Sequence, residues 1–233
     1  MDLFNHCLAW GAAATRRTRL AVCVAALAGW GLVGCTQAAA PPVQPTSAPV
    51  VESAPVVDGK PMAYAVFAGG CFWCIEADFE KLPGVREVVS GYTAGRTPNP
   101  TYEAVSAGHT GHTEAVRVLY DPAQVSYSQL VEYFWRHIDP TVKDRQFCDI
   151  GDQYRSGIYW GNESERQTVE ASRDALLKSG RFATIHTELA PASTFYLAED
   201  YHQDYYKKNE LRYSYYRLSC GRDARVKQLW GSQ

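Results

Sequence analysis

The chain has 233 residues, 46% of them apolar and 21% charged, the balance of a soluble globular protein. Its formal charge of −2 at pH 7 offers no basic field to a nucleic-acid backbone and gives no reason to expect an acidic substrate. The length suits one large domain or two small ones.

The first 20 residues carry Arg16, Arg17 and Arg19 and no acid after Asp2, and an apolar run follows. Leu20 to Val33 is 14 residues, short against the roughly 20 that a bilayer-spanning helix needs. A basic region, an apolar stretch and small residues in that order read as a secretory signal over 1–34. Its end, Leu32-Val33-Gly34-Cys35, resembles a bacterial lipoprotein cleavage box, in which Cys35 becomes the lipidated N-terminus. The chain is therefore expected to be exported and held in the periplasm by a lipid anchor in a membrane. Residues 35–61 hold 6 of the 12 prolines and no aromatic residue. Such a stretch cannot build a core and reads as a tether. The folded domain is expected over 62–233.

Within it, "MAYAVFA" (62–68) is an apolar run closed by Gly69-Gly70, as a buried strand would be. "CFWCIEADFEKL" follows at helical spacing, with Phe72, Ile75 and Phe79 on one face and Pro83-Gly84 as the stop. "VREVVSGYTAG" (85–95) predicts a strand and "NPTYEAVSAG" (99–108) a short helix. "HTEAVRVLYDP" (112–122) alternates: Glu114, Val116, Val118 and Tyr120 share one face, Ala115, Arg117 and Leu119 the other. Leu130, Val131, Phe134, Trp135 and Ile138 form one helical stripe. "YRSGIYW" (154–160) predicts another strand, and Asn162 with Glu165 a capping box for a helix ending near Gly180. "ATIHTELA" (183–190) predicts a further strand. Seven of the 15 tyrosines lie between Tyr196 and Tyr216, and tyrosines in groups often line pocket walls. Strands and helices in this order predict an α+β fold, one sheet covered by helices.

Two residues suggest chemistry. Cys71 sits where a strand turns through two glycines into a helix. Free amides and the helix dipole there favour an anion, so the thiol is expected to have a lowered pKa and to act as a nucleophile. The plain alternative is a packed core cysteine. Glu114, by the alternation of its strand, faces inward among apolar residues. A carboxyl group there has its pKa raised and can donate a proton. Alternatively it reaches solvent or pairs with Arg117 or Arg155.

The segments "GGCFWCIEADFEKLPGV", "SGYTAG", "PTYEAVSAGHTGHTEAVRVLYDP", "QFCDIGDQYRSGIY" and "YHQDYYKKN" together resemble the peptide methionine sulfoxide reductase A family, over nearly all of 64–230. The resemblance implies a single α+β domain with a ferredoxin-like core. It also implies reduction of the S epimer of methionine sulfoxide, free or in oxidised proteins, as protein repair. It implies no cofactor and no metal, with a thioredoxin-like protein as reductant. Carried over by motif, Cys71 is the nucleophile, and Phe72 and Trp73 are walls for the substrate methyl group. Glu114 is the proton donor, Tyr102 and Tyr154 bond the sulfoxide oxygen, and Asp149 is the acid of the same loop. His202, in the last motif, is read as structural. Cys71 would become a sulfenic acid that a second thiol converts to a disulfide. Many relatives place that thiol in a glycine-rich tail, but here Ser214 stands near the matching position. Cys220, Cys148 and Cys74 all remain candidates.

Two other readings fit parts of the pattern. A thioredoxin-type disulfide oxidoreductase could use Cys71 and Cys74 as its Cys-x-x-Cys pair. A metal-binding protein could draw tetrahedral ligands from Cys71, Cys74, Cys148, Cys220, His109 and His112, although no second Cys-x-x-Cys accompanies the first.

Overall fold

The computed structural model describes residues 47–48 and 55–231. The signal segment, Cys35 and most of the expected tether lie outside the described residues. The first elements are the two-residue strands β1 (Ser47–Ala48), β2 (Val56–Val57) and β3 (Lys60–Pro61). The last two pair as a hairpin inside the stretch expected to be tether. Asp58 and Gly59 make its turn with φ of 51° and 75°, the left-handed pair that an Asp-Gly hairpin turn requires.

The core then runs β4 (Ala63–Gly69), α1 (Phe72–Phe79), β5 (Val85–Thr93), α2 (Tyr102–Ser106), β6 (Thr113–Tyr120) and α3 (Tyr127–Trp135). A small hairpin, β7 (Arg145–Gln146) and β8 (Asp149–Ile150), leads to β9 (Ser156–Trp160) and the long α4 (Glu163–Lys178). Next come β10 (Glu188–Pro191), β11 (Phe195–Leu197), and the C-terminal helices α5 (Tyr205–Lys208), α6 (Glu210–Ser219) and α7 (Arg222–Trp230).

The strands form one seven-stranded sheet in the order β1-β11-β5-β6-β4-β9-β10, antiparallel except for the parallel pair β9–β10. At its centre β5-β6-β4-β9, with α1 and α3 as the two crossovers, is the expected ferredoxin-like core. β6 is buried on both faces. Val116, Val118 and Tyr120 join the main core, with Phe67, Ile75, Phe79 and the predicted stripe of α3. Ala115 faces the other way, onto Val66, Ala68, Tyr159 and Phe195. Each large side chain removed from water in this way contributes roughly 1.5–3 kcal/mol.

The capping of α4 is a variant of the expected one. Asn162 Oδ1 accepts the Glu165 N–H at 3.0 Å, but the Glu165 carboxylate takes the Gly161 N–H at 2.7 Å instead of that of Asn162. The strand expected over 183–190 is regular only from Glu188. The one expected over 154–160 begins at Ser156, after a 3₁₀ turn at Asp152–Tyr154.

Candidate active site

β4 delivers the chain to the site and two glycines turn it. Gly70 has φ of +82°, and a Cβ there would meet the Gln146 Cβ at 2.5 Å. Only glycine combines that backbone with that approach. Cys71 follows as the residue that caps α1, with Phe72 and Trp73 in the first turn. The Phe72 N–H, which the helix leaves unpaired, donates to Glu114 Oε2 at 3.0 Å. The predicted alternation of β6 does turn Glu114 inward, and the carboxyl group is buried. Neither arginine proposed as its partner takes it. Arg155 binds Glu188 at 2.8 Å, and Arg117 lies over the Tyr64 ring on the opposite face.

Burial drives the Glu114 carboxyl well above the usual carboxylate range; the Phe72 N–H works against this, and the nearby Asp149 adds to it. Burial and the hydrogen bond with Cys74 push the Cys71 thiol up as well, with the acids Glu114 and Asp149 adding to the rise. The expectation of a lowered Cys71 pKa is therefore corrected: the thiol lies above its ordinary value. The depressed thiol is Cys74, chiefly through its hydrogen bond with Cys71 and then through Arg222 and Arg217. The two sulfurs hold their protons as a pair.

Aromatic rings enclose this pair of groups. Phe72 is fully buried, its ring 5.8 Å from Tyr92 and 4.9 Å from His202. The Trp73 indole stacks on Tyr205 at 3.7 Å, and Tyr216 meets it edge-on at 5.9 Å. Its N–H donates to His202 Nδ1 at 3.0 Å. The Tyr102 ring lies 4.4 Å from His202. Thr113, beside Glu114, has its hydroxyl 3.0 Å from the Gln153 carbonyl and 3.2 Å from that of Arg155. Both neighbours of Tyr154 are thereby tied to β6. Asp149, on β8, accepts the Tyr216 hydroxyl at 2.6 Å, and burial raises its pKa. Cys71 itself is 6% exposed. A cavity of about 360 Å³ borders Phe147 and Cys220, and a larger one of about 470 Å³ lies between Asp78, Tyr133 and Arg217; neither is lined by Cys71.

The three candidate partner thiols separate into two kinds. Cys148 and Cys220 are bonded to each other, while Cys74 is free and buried beside Cys71. The tetrahedral metal set is not assembled: the cysteines are paired as stated, His109 is exposed, and His112 bonds the Gly95 N–H and the Thr97 carbonyl.

A model of the family described as peptide methionine sulfoxide reductase matches residues 63–233. The chain belongs to the peptide methionine sulfoxide reductase family. The reductase is 49% identical to peptide methionine sulfoxide reductase MsrA 2 of Caulobacter vibrioides over 77% of this chain and 91% of that one. It is 52% identical to the MsrA of Listeria innocua over 71% of this chain and 94% of that one. The solved structure of methionine sulfoxide reductase A of Corynebacterium diphtheriae superposes with a TM-score of 0.59 at 40% identity, covering 64% of this chain and 76% of that one.

Several residues of the reductase site carried no sequence signal of their own. Tyr216, Tyr205 and Tyr213 come from the tyrosine-rich C-terminal helices and pack around Trp73 and Cys74. Tyr205 lies inside the "YHQDYYKKN" segment, and for Tyr213 and Tyr216 the abundance of tyrosine is the only sequence hint. Arg222, almost fully buried, donates to the Gly69 and His137 carbonyls at 3.1 and 2.9 Å and lies 4.5 Å over the Phe147 ring. It pins the start of α7 beneath the turn that carries Cys71. Glu199 reaches Tyr92 and Tyr102 from a segment with no regular structure.

Proposed function

We propose that this reductase returns the S epimer of methionine sulfoxide, free or in oxidised proteins, to methionine, with Cys71 as nucleophile. The observation that carries the reading is Glu114: a buried carboxyl group whose pKa burial raises, and which accepts the Phe72 N–H, the amide that follows Cys71, at 3.0 Å. A sulfoxide has an apolar methyl end and a polar S=O end. Phe72 and Trp73 suit the first, while Glu114, Tyr102 and Tyr154 suit the second.

In this scheme Glu114 gives its proton to the sulfoxide oxygen, which makes the sulfur electrophilic. The Cys71 sulfur attacks as it loses its own proton, methionine departs, and the oxygen remains as Cys71 sulfenic acid. A thiol of the Cys148–Cys220 pair condenses with it, releasing water and forming a disulfide to Cys71. The other thiol of the pair then displaces Cys71. The result is a free Cys71 beside a Cys148–Cys220 disulfide, the arrangement present here. Cys148 is exposed, and a dithiol protein of thioredoxin type would reduce the outer pair by exchange. The test is mass spectrometry after one turnover without reductant. It should find Cys71 reduced and Cys148 joined to Cys220, and Cys220→Ser should trap Cys71 joined to Cys148. Turnover that leaves all four cysteines reduced would refute the scheme.

The sequence pattern over 1–34, Cys35 and the proline-rich tether supports a further part of this reading, an exported enzyme anchored by lipid on Cys35. Membrane fractionation of the Cys35→Ser variant tests it, since loss of the anchor should release the enzyme into the soluble fraction.

A further inference from the structure

Glu199 has no role in the scheme above, yet its contacts end on both walls of the site. Its Oε1 accepts the Tyr102 backbone N–H at 2.9 Å, and its Oε2 accepts the Tyr92 hydroxyl at 2.8 Å. Tyr102 opens the five-residue helix α2. The first-turn amides of a helix have no partner within it, and Glu199 supplies the one that Tyr102 needs. Tyr92 is fully buried against Phe72 and stands opposite Glu114 across β5 and β6.

The third connection runs through His202. The His202 backbone N–H donates to the Glu199 carbonyl at 2.8 Å. Its Nδ1 accepts the Trp73 indole N–H, a group that can only donate. Nδ1 is therefore unprotonated, and the neutral ring carries its hydrogen on Nε2. Nε2 is buried, has no hydrogen-bond partner among the described residues, and lies 4.0 Å from Glu199 Oε2. Burial lowers His202 to about 4, which keeps this tautomer neutral. The stack on Tyr205 lets the Trp73 ring slide in its plane, whereas the bond to His202 fixes it along that plane.

We propose that Glu199 is a positioning residue for sulfoxide reduction: it fixes Tyr102 on the oxygen side of the substrate and, through His202, Trp73 on the methyl side. Glu199 thus ties both walls, by its carboxyl group to the Tyr102 N–H and by its backbone carbonyl to His202, whose Nε2 lies 4.0 Å from the carboxylate, and the spacing it sets fixes the size of the alkyl group that fits. This rests on the roles given to Tyr102 and Trp73 above. A displacement of about 1 Å in such a wall can slow a reaction by about 10²-fold.

The test is single-turnover kinetics of the fully reduced chain on methionine sulfoxide and on its ethyl homologue, ethionine sulfoxide. Glu199→Gln should slow the methyl substrate by roughly 10- to 100-fold and the ethyl substrate by clearly less, so that the preference for methyl narrows. The alkylation rate of Cys71 should stay within about twofold of the parent. His202→Asn keeps an acceptor near the Nδ1 position and removes Nε2; combined with Glu199→Gln it should be no slower than the worse single variant. An unchanged methyl-to-ethyl ratio, or losses that multiply in the double variant, would overturn the proposal. Tyr92→Phe deletes one arm while keeping the ring. If Glu199→Gln fails to fold, Tyr92→Phe should show the same narrowing, and an unchanged ratio there would equally overturn the proposal. Trp73→Phe and Tyr102→Phe are the controls, because if both react like the parent it is the reading of the walls that fails.

Discussion

Phe72 and Glu114 are joined by one hydrogen bond, from a backbone N–H at the start of α1 to a side-chain oxygen on β6, and both residues are buried. The bond asks two things of Glu114: an acceptor for the amide and a proton for the substrate. Glu114→Gln keeps the acceptor and loses the proton. Single-turnover sulfoxide reduction should fall by roughly 10²–10⁴-fold with little change in Tm. Glu114→Ala also strands the Phe72 N–H, and should cost a further 1–3 kcal/mol or so of stability, read from denaturant unfolding. Equal Tm values for the two variants would show that the bond contributes nothing to the fold.

The raised pKa of Glu114 fixes the sign of a pH effect. Its folded value lies above the ordinary 4.5. The corresponding stability is complete below pH 4.5 and drains away as pH rises towards the folded value. Activity should follow the same proton, falling on the alkaline side as Glu114 ionises. In a pH–rate profile Glu114→Gln should remove that alkaline limb, and a limb that persists would have to come from another acid.

Glu76 offers a separate case, away from the reacting groups. It is buried in α1, where it accepts the Ser90 hydroxyl at 2.9 Å and the Asp204 N–H at 2.8 Å. Burial lifts it to about 7. With a raised folded pKa, its contribution is whole below pH 4.5 and is lost as pH climbs through about 7. Glu76→Gln should therefore gain Tm relative to the parent at pH 8 and gain less at pH 5. A difference that does not change with pH would mean that Glu76 does not titrate in this window.

The sequence carried the core and the main pair of groups because their signals are local. Strict alternation turned Glu114 inward, and helical spacing marked the stripe of α3. It misjudged the Cys71 thiol for a tertiary reason. The first helix amides are not free: Glu114 takes the Phe72 N–H, and the Cys74 N–H donates to the Cys71 carbonyl at 3.1 Å. Buried acids then crowd the sulfur. Cys148 and Cys220, 72 positions apart, stood in the sequence as rivals and in the fold are partners. Their pairing depends on how α6 docks, which no local pattern encodes. Glu199 and Arg222 act through backbone groups distant in sequence, and so left no motif to find.

Cys74 tests how the two sulfurs share charge. Cys71→Ser should remove first-turnover sulfoxide reduction. Cys74→Ser should leave it intact, since the scheme needs Cys74 for neither attack nor proton transfer. It should also lower the Cys71 pKa, because a hydroxyl replaces a neighbour whose hydrogen bond and negative charge both hold that pKa up. Alkylation rate against pH reads this directly, and an unshifted profile would mean that the sulfurs do not share their protons. Loss of sulfoxide reduction in Cys74→Ser would instead favour a Cys-x-x-Cys oxidoreductase.

The disulfide joins the end of α6 to the hairpin that carries Asp149, and Tyr216 of α6 bonds Asp149 over the aromatic cage. Cys71 is nearly sealed in this state. Breaking the bond removes the covalent link between α6 and this hairpin, so iodoacetamide should alkylate Cys71 faster in the Cys148→Ser variant than in the oxidised parent. The chain-entropy model puts the stabilisation from closing a loop of this length at about 4 kcal/mol, and reduction should lower the denaturant midpoint accordingly. Equal alkylation rates in the two forms would show that substrate reaches Cys71 by a path that α6 does not cover.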